Sequence, residues 1–296
     1  MNELLLNELR ARYEAGENIT ALLKARDGTN SAKAIEVAYD LQAGSYVDFV
    51  SNNMDDWNRY TSELGDILRR FVNPLDSMLD CGAGELTTLS GVVRSLPADI
   101  QVLAFDISLS RIRVGNAFVQ RTMRSDLAPK LRSFCATMEH IPLGDGSIDV
   151  VMTAHALEPN RGREELLLAE LFRVSRRHVI LCEPSYEDNS PEGKERMDRL
   201  GYVRNMDEHI AKCGGVIAEK IRMDNVMNPL NPSCCWIIEV DSGPSRSETD
   251  YRCPISRARL RKREGYYWSD KGLYAYPVIE GVPILKPEYA IVLTHG

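Results

Sequence analysis

Residues 77–86 read SMLDCGAGEL, a short apolar run that breaks into two glycines one residue apart, Gly82 and Gly84, with Asp80 two positions ahead of the first. A strand running into such a turn lets backbone approach something bulky, because glycine has no Cβ and takes positive φ without strain. The next apolar run, VLAFDIS, ends in Asp106, a carboxylate placed to accept the two hydroxyls of a ribose. Further on, HALEPN brings together His155, whose ordinary pKa lies near working pH, and Glu158 and Asn160, which could hold a hydroxyl or an amine.

Three ligands exploit a Gly-x-Gly turn, and the neighbouring residues separate them. A phosphate-cradling loop of the Walker type needs Gly-Lys-Ser/Thr after the glycines, and none follows. A dinucleotide turn wants a third glycine at the helix start, whereas Gly84 is followed by Glu85, an acid that would repel a pyrophosphate. S-adenosylmethionine reverses the sign: it carries a sulfonium and an ammonium, so Asp80 at the strand end is favourable.

These side chains need a frame. After the glycine turn the sequence alternates strand-like and helix-like segments: LTTLSGVVRSL, VLAFDIS, RIRVGNAFVQRTM, RSFCAT, IDVVMTAHAL, REELLLAELFRV, HVILCEP. Strands separated by helices require crossover connections, hence a mostly parallel sheet covered on both faces. The expected class is α/β, a doubly wound, Rossmann-like sheet of seven strands. GGVIAEKIRM and CCWIIEV lie close together without a helix between them and should pair antiparallel at an edge. Ahead of the turn, Leu4–Lys24 forms a helical leader, Asn30 or Ser31 a helix cap, and WNRYTSELGDILRRFV a helix ended by Asn73-Pro74. The expected domains are an N-terminal helical cap (1–72), a ligand-binding domain (73–240), a linker (241–250, rich in Ser, Gly and charge) and a small β-rich C-terminal module (251–296).

Composition narrows the function classes. The chain has 296 residues, a formal net charge of -7 and 44% hydrophobic residues, with no apolar run approaching the ~18 residues of a membrane span. The acidic balance disfavours long-range attraction to nucleic acid or anionic membrane. The N-terminus lacks the layout of a signal peptide, and the seven cysteines sit mostly in apolar runs and imply no disulfide framework, so a cytoplasmic location is expected.

With LDCGAG, FDIS and ATMEHIPLGDGSIDVVMTAHALE in this order, residues 35–240 resemble the class I S-adenosylmethionine-dependent methyltransferases, the ubiquinone-biosynthesis-like subgroup above all. The resemblance implies that Asp80, Gly82, Ala83, Gly84, Asp106, Ile107 and Thr153 surround S-adenosyl-L-methionine. Where the family's loop usually offers an aspartate to the adenine amino group, this sequence has Thr137, with Met138 beside it. AYDLQAGSY resembles the segment whose tyrosine closes over the cofactor, here Tyr39 or Tyr46.

Methyl transfer is displacement at an activated carbon, so the protein aligns the acceptor and, for a hydroxyl or protonated amine, removes a proton. Ligands in such sheets sit at the carboxyl ends of strands, which makes His155 and Glu158 the candidate catalytic residues and Asn160, Arg161, Glu183 and Tyr186 candidates for holding the acceptor. The same residues also read as a polar strand end, a helix cap and a turn. There is no Asn/Asp-Pro-Pro-Tyr/Phe run and no Pro-Cys nucleophile, the motifs with which the family's base-modifying members work. The expected acceptor is therefore an O or N atom of a small or carbohydrate-like molecule; HALEPN followed by a fused module resembles methyltransferases that accompany bacterial polysaccharide biosynthesis.

CPISRARL and YAYPVIEGVPIL resemble small zinc-ribbon-like activating partners of RNA- and protein-modifying methyltransferases. The zinc ligands of that family are mostly replaced here, by Ser256 and by Trp268-Ser269, so no metal is expected. Two rival readings stand beside the small-molecule one. The first is an RNA methyltransferase using Arg252, Arg257, Arg259, Arg261, Lys262 and Arg263 with Tyr251, Tyr266 and Tyr267 as a binding surface; the second is a catalytically silent scaffold. A homodimer is left open.

Overall fold

The computed structural model describes residues 3–27, 32–240, 249–269, 271 and 273–294. The cap expected at Asn30 or Ser31 and most of the linker, 241–248, lie outside the described residues.

Among the described residues five helices precede the first strand: α1 (Glu3–Glu14), α2 (Ile19–Asp27), α3 (Ala32–Leu41), α4 (Ser45–Asn52) and α5 (Met54–Arg69). The continuous leader expected over Leu4–Lys24 is broken in two. The Gly16 amide bonds back to the Tyr13 carbonyl at 2.8 Å, and Asn18 then caps α2 by accepting from the Ala21 amide at 3.0 Å. Leu9, Ile19, Leu23, Ala34, Val37 and Ala38 form a small core shared by α1, α2 and α3. Helix α5 carries Trp57, Tyr60, Leu64, Ile67 and Leu68 on one buried stripe and joins the main core.

The central sheet is built from β1 (Ser77–Cys81), β2 (Gln101–Asp106), β3 (Arg132–Cys135), β4 (Ile148–Ala154), β5 (Ser175–Pro184), β6 (Val216–Arg222) and β7 (Ser233–Glu239) in the order β3-β2-β1-β4-β5-β7-β6. Strands β1 to β5 run parallel, joined by crossovers through α6 (Thr87–Val92), α7 (Leu109–Thr122) and α8 (Glu164–Val174). Two short helices, α9 (Pro191–Leu200) and α10 (Met206–Lys212), lead to β6, and β7 pairs antiparallel with both β5 and β6. The seven-stranded doubly wound sheet and its antiparallel edge pair are those expected from the sequence. Its two faces bury separate apolar clusters: Met78, Ala104, Val150 and Ile180 on one, Leu79, Leu103, Val151 and Leu181 on the other, the period-2 alternation of a strand covered on both sides.

The C-terminal module is a separate antiparallel sheet of β8 (Leu260–Arg263), β9 (Tyr266–Ser269), β10 (Tyr274–Ile279), β11 (Val282–Pro283) and β12 (Ile291–Val292). It docks on the β3 edge of the main sheet. Ile284 bridges Cys135 in parallel, and the Leu285 amide donates to the Cys135 carbonyl at 2.8 Å, while Tyr251 bridges Leu143. An exposed strand edge is thereby covered, and Tyr251, Cys253, Leu260, Tyr276 and Leu285 join one of the main clusters. The module thus shares a hydrophobic core with the sheet it covers.

Candidate active site

At the carboxyl end of β1 the chain turns through Gly82 (φ 74°) and Gly84 (φ 54°), both left-handed. A Cβ on Gly82 would lie 2.6 Å from that of Ala156, and one on Gly84 would lie 2.5 Å from Nη2 of Arg111, so the turn needs glycine for space as well as for conformation. The Gly82 and Ala83 amides donate to the Phe105 carbonyl at 2.9 and 2.8 Å, which ties the turn to the end of β2. There Asp106 accepts from the Gly84 amide and from the Ser108 amide, each at 2.9 Å. A carboxylate has about four lone-pair sites, so two remain for hydroxyls.

A cleft opens above this turn. Its wall includes Tyr39 and Tyr46 from the N-terminal helices, Ala83 and Gly84, Asp106 and Ile107, Thr137 and Met138, and His155 and Asn160. The residues expected to surround a cofactor therefore converge, with two exceptions. Thr153 is fully buried inside β4 and is not part of the wall, and Asp80 lies beneath it, 1% exposed. Burial, then the nearby Asp106 and Glu183, pushes the Asp80 carboxyl up to about 7. Its Oδ1 has no hydrogen-bond partner, nor has the buried Oγ1 of Thr137.

Sequence reasoning missed several residues of this site. Glu85, read only as an obstacle to pyrophosphate, is buried, and its carboxylate accepts from the amides of Gly44 (3.0 Å) and Val47 (2.8 Å), anchoring the start of α4 to the glycine turn. Arg111 lies 3.8 Å from Glu85, with its guanidinium over the rings of both Tyr39 (4.9 Å) and Tyr46 (4.6 Å). Glu139 and Arg163 form an ion pair on the wall. Each of these contacts joins segments far apart in sequence, and no local pattern announces them.

At the end of β4, His155 adopts the left-handed conformation (φ 56°), uncommon for a residue with a side chain and a frequent mark of functional loops. Its Nδ1 lies 3.2 Å from Glu158 Oε2 and its Nε2 lies 2.9 Å from Ser233 Oγ, while Asn231 donates to the same Glu158 oxygen at 3.1 Å. Burial lowers the imidazole pKa, but the hydrogen bond and charge of Glu158 overcome it and bring His155 up to about 9. His155 is therefore protonated at neutral pH beside Glu158, and Asn231 and Ser233 complete the arrangement from the start of β7.

Three expected acceptor contacts are not as read from the sequence. Glu183 turns inward: its carboxylate accepts from the amides of Ala156 (3.0 Å), Leu157 (3.1 Å) and Glu158 (3.3 Å), because that tight loop buries amides that need an acceptor. Tyr186 donates to Asp198 at 2.9 Å and Arg161 pairs with Asp198 at 3.3 Å, which holds both at the α9 surface and off the cleft wall. Asn160 is on the wall, donating to the Ala156 carbonyl at 3.0 Å.

In the module, Cys253 is buried, with its Sγ 3.2 Å from the Tyr276 hydroxyl and accepting from the Ser256 amide at 3.3 Å. Among the described residues no group of three or more His, Cys, Asp or Glu is placed to hold a metal ion, and no helix is long and apolar enough to cross a membrane.

Residues 79–182 match the family model described as "Methyltransferase domain". Among solved structures, a chain of the complex between the Haloferax volcanii Trm112 methyltransferase activator and a methyltransferase is 16% identical, with a TM-score of 0.53, covering 69% of this chain and 97% of that one. Magnesium protoporphyrin IX methyltransferase from Synechocystis PCC 6803, solved with bound SAH, is 12% identical with the same TM-score, covering 69% and 99%. At these identities the likeness is one of fold. No curated protein matches the sequence. With the matched domain, the glycine turn and the acid at the end of β2, the protein is an S-adenosylmethionine-dependent methyltransferase, EC 2.1.1.

The cleft suits that cofactor in three respects: glycines leave room at the turn, Asp106 has free lone pairs, and a cation would relieve the crowded Asp80, Asp106 and Glu183. When bound, the cofactor supplies an electrophilic methyl group. The protein's own part is to bind, orient and manage the acceptor's proton.

Proposed function

We propose that the protein transfers a methyl group to an O or N atom of a small-molecule or carbohydrate-like acceptor held beside His155. The observation that carries this reading is the His155–Glu158 pair at 3.2 Å, in which His155 lies on the wall of the same cleft as the glycine turn and Asp106 and Glu158 is buried behind it. Asp106 and Ile107 would meet the ribose, Thr137 and Met138 the adenine, Tyr39 and Tyr46 the cofactor's outer side, and Asp80 its cationic end from below. His155, once it gives up its proton to solvent, becomes the base for an acceptor hydroxyl or ammonium, and Glu158 orients it. Asn160 is the side chain best placed to hold the acceptor.

The module's arginines favour a small acceptor over RNA. Arg257 is tied to Glu170 at 2.9 Å and Arg259 to Asp250, so two of the charges a phosphate backbone would use are already neutralised. The module itself we read as a built-in counterpart of the small activating partners it resembles; the Haloferax methyltransferase, whose fold this chain shares, was solved in complex with the Trm112 methyltransferase activator. The test is incubation with labelled S-adenosylmethionine and separate pools of nucleotide sugars, tRNA and protein extract. Label in the first pool supports the proposal, and label confined to tRNA or protein refutes it.

A further inference from the structure

Lys286, in the segment that leaves β11 of the module, is 2% exposed, although an isolated buried ammonium is costly. It is held by partners from two different parts of the main domain. Its Nζ lies 2.8 Å from Glu36 Oε1 on α3 and donates to the Ile107 carbonyl, in the loop after Asp106, at 3.2 Å. Tyr289 closes the arrangement: its ring lies 4.6 Å from Nζ and its hydroxyl donates to Glu36 at 3.4 Å.

Each partner is one step from the cofactor cleft. One turn beyond Glu36 on α3 come Tyr39, on the cleft wall, and Asp40, which accepts from Ser108 Oγ at 2.7 Å and Ser110 Oγ at 3.0 Å. Ile107 follows Asp106 directly. The residue before Lys286, Leu285, donates its amide to Cys135, and Ala136, Thr137 and Met138 of the cleft wall come next in the chain. Residues 284–286 therefore stand behind three walls of one cleft.

We propose that Lys286 is a positioning residue for the cofactor: by joining α3 to the loop after β2 it fixes the distance between Tyr39 and Asp106, so that the C-terminal module sets the affinity for S-adenosylmethionine. The inference rests on the cleft being the cofactor site. It gives the module a physical role that needs neither zinc nor a separate partner: deleting the cation leaves α3 tied to the ribose loop through Asp40 alone and leaves Glu36, inside the boundary, with only the half-exposed Lys33 ammonium at 3.1 Å.

The test is calorimetric titration of the full chain with S-adenosylhomocysteine, with a thermal melt of each free variant as a check on folding. Lys286→Met and Glu36→Gln should each weaken binding about tenfold or more, the scale of a lost charged hydrogen bond. The double variant should be no weaker than the poorer single one, because both changes break one link, and Lys286→Arg, which restores the cation, should bind better than Lys286→Met. Affinities within about twofold of wild type in folded variants, fully additive losses, or an arginine variant no better than the methionine one would overturn the proposal. Should Lys286→Met not fold, Glu36→Gln decides alone, with unchanged affinity counting against the link. Asp106→Ala separates the two levels: if it binds like wild type, the cleft assignment falls and this inference with it; if it loses binding while the Lys286 and Glu36 variants do not, only the link is refuted.

Discussion

The Gly84 amide donates to Asp106 Oδ2 at 2.9 Å, joining the glycine turn after β1 to the acid after β2. One hydrogen bond thus fixes the glycine turn and Asp106, two features of the cleft wall, relative to each other. The consequences can be measured.

Turnover should depend on pH through His155. Glu158 holds the imidazole protonated up to about 9, so the rate should rise with pH toward an apparent pKa near that value as the base is freed. Glu158→Gln removes the charge responsible. The inflection should then move down toward the ordinary histidine value of about 6.5, while the rate limit falls about 100-fold as the orienting partner is lost. A profile unchanged by Glu158→Gln would exclude the pair from catalysis.

Cofactor binding should be tied to proton release from Asp80. Its carboxyl is pushed up to about 7 by burial beside Asp106 and Glu183, and a sulfonium and ammonium nearby would favour the charged form. Affinity should therefore strengthen as pH rises from about 5.5 to 7.5 and level off above. Asp80→Asn should flatten this dependence. Calorimetry in two buffers of different ionisation enthalpy would count the released proton directly.

Stability without cofactor should fall as pH rises. Asp80 and Glu183 both reach about 7 in the folded chain, against 3.8 and 4.5 when unperturbed, so across that window the folded state holds more protons than the unfolded one and ionisation disfavours it. His155 acts in the same direction at higher pH. Its folded value of about 9 exceeds the ordinary 6.5, so the stability it contributes is complete below 6.5 and lost as pH passes 9. A melting temperature that climbs between pH 5 and pH 9 would contradict both assignments.

The glycine turn should tolerate no side chain. Gly82→Ala adds a Cβ 2.6 Å from that of Ala156 at a φ of 74°, which should cost about 1–3 kcal/mol of stability. Chemical denaturation measures that cost, and calorimetry on the folded fraction should show cofactor binding lost as the turn is displaced from Phe105.

Much of the frame could be read before the structure, because its signals are local. The alternation of strands and helices, the glycines after β1 and the acid after β2 each follow from a few neighbouring residues. Residues answering to partners far along the chain were either missed or misread. Glu85 binds amides 41 and 38 residues earlier, Asn231 reaches Glu158 across 73 residues, and Lys286 meets Glu36 only once the module has docked. Glu183 was assigned to the acceptor because it stands at a strand end, and the backbone amides that claim it could not be counted from sequence. Tyr186 failed for a related reason: a strand end specifies which edge of the sheet a residue occupies, but not which way the following loop carries it.

Titration of S-adenosylmethionine into the wild type and Asp106→Ala, followed by calorimetry, tests the cleft most directly. Wild type should bind one equivalent, and the alanine variant, still folded by its melting curve, should bind about 100-fold or more weakly, since two ribose hydroxyls lose a charged acceptor. Equal affinity in the two proteins would place the cofactor elsewhere and contradict the site described for this enzyme.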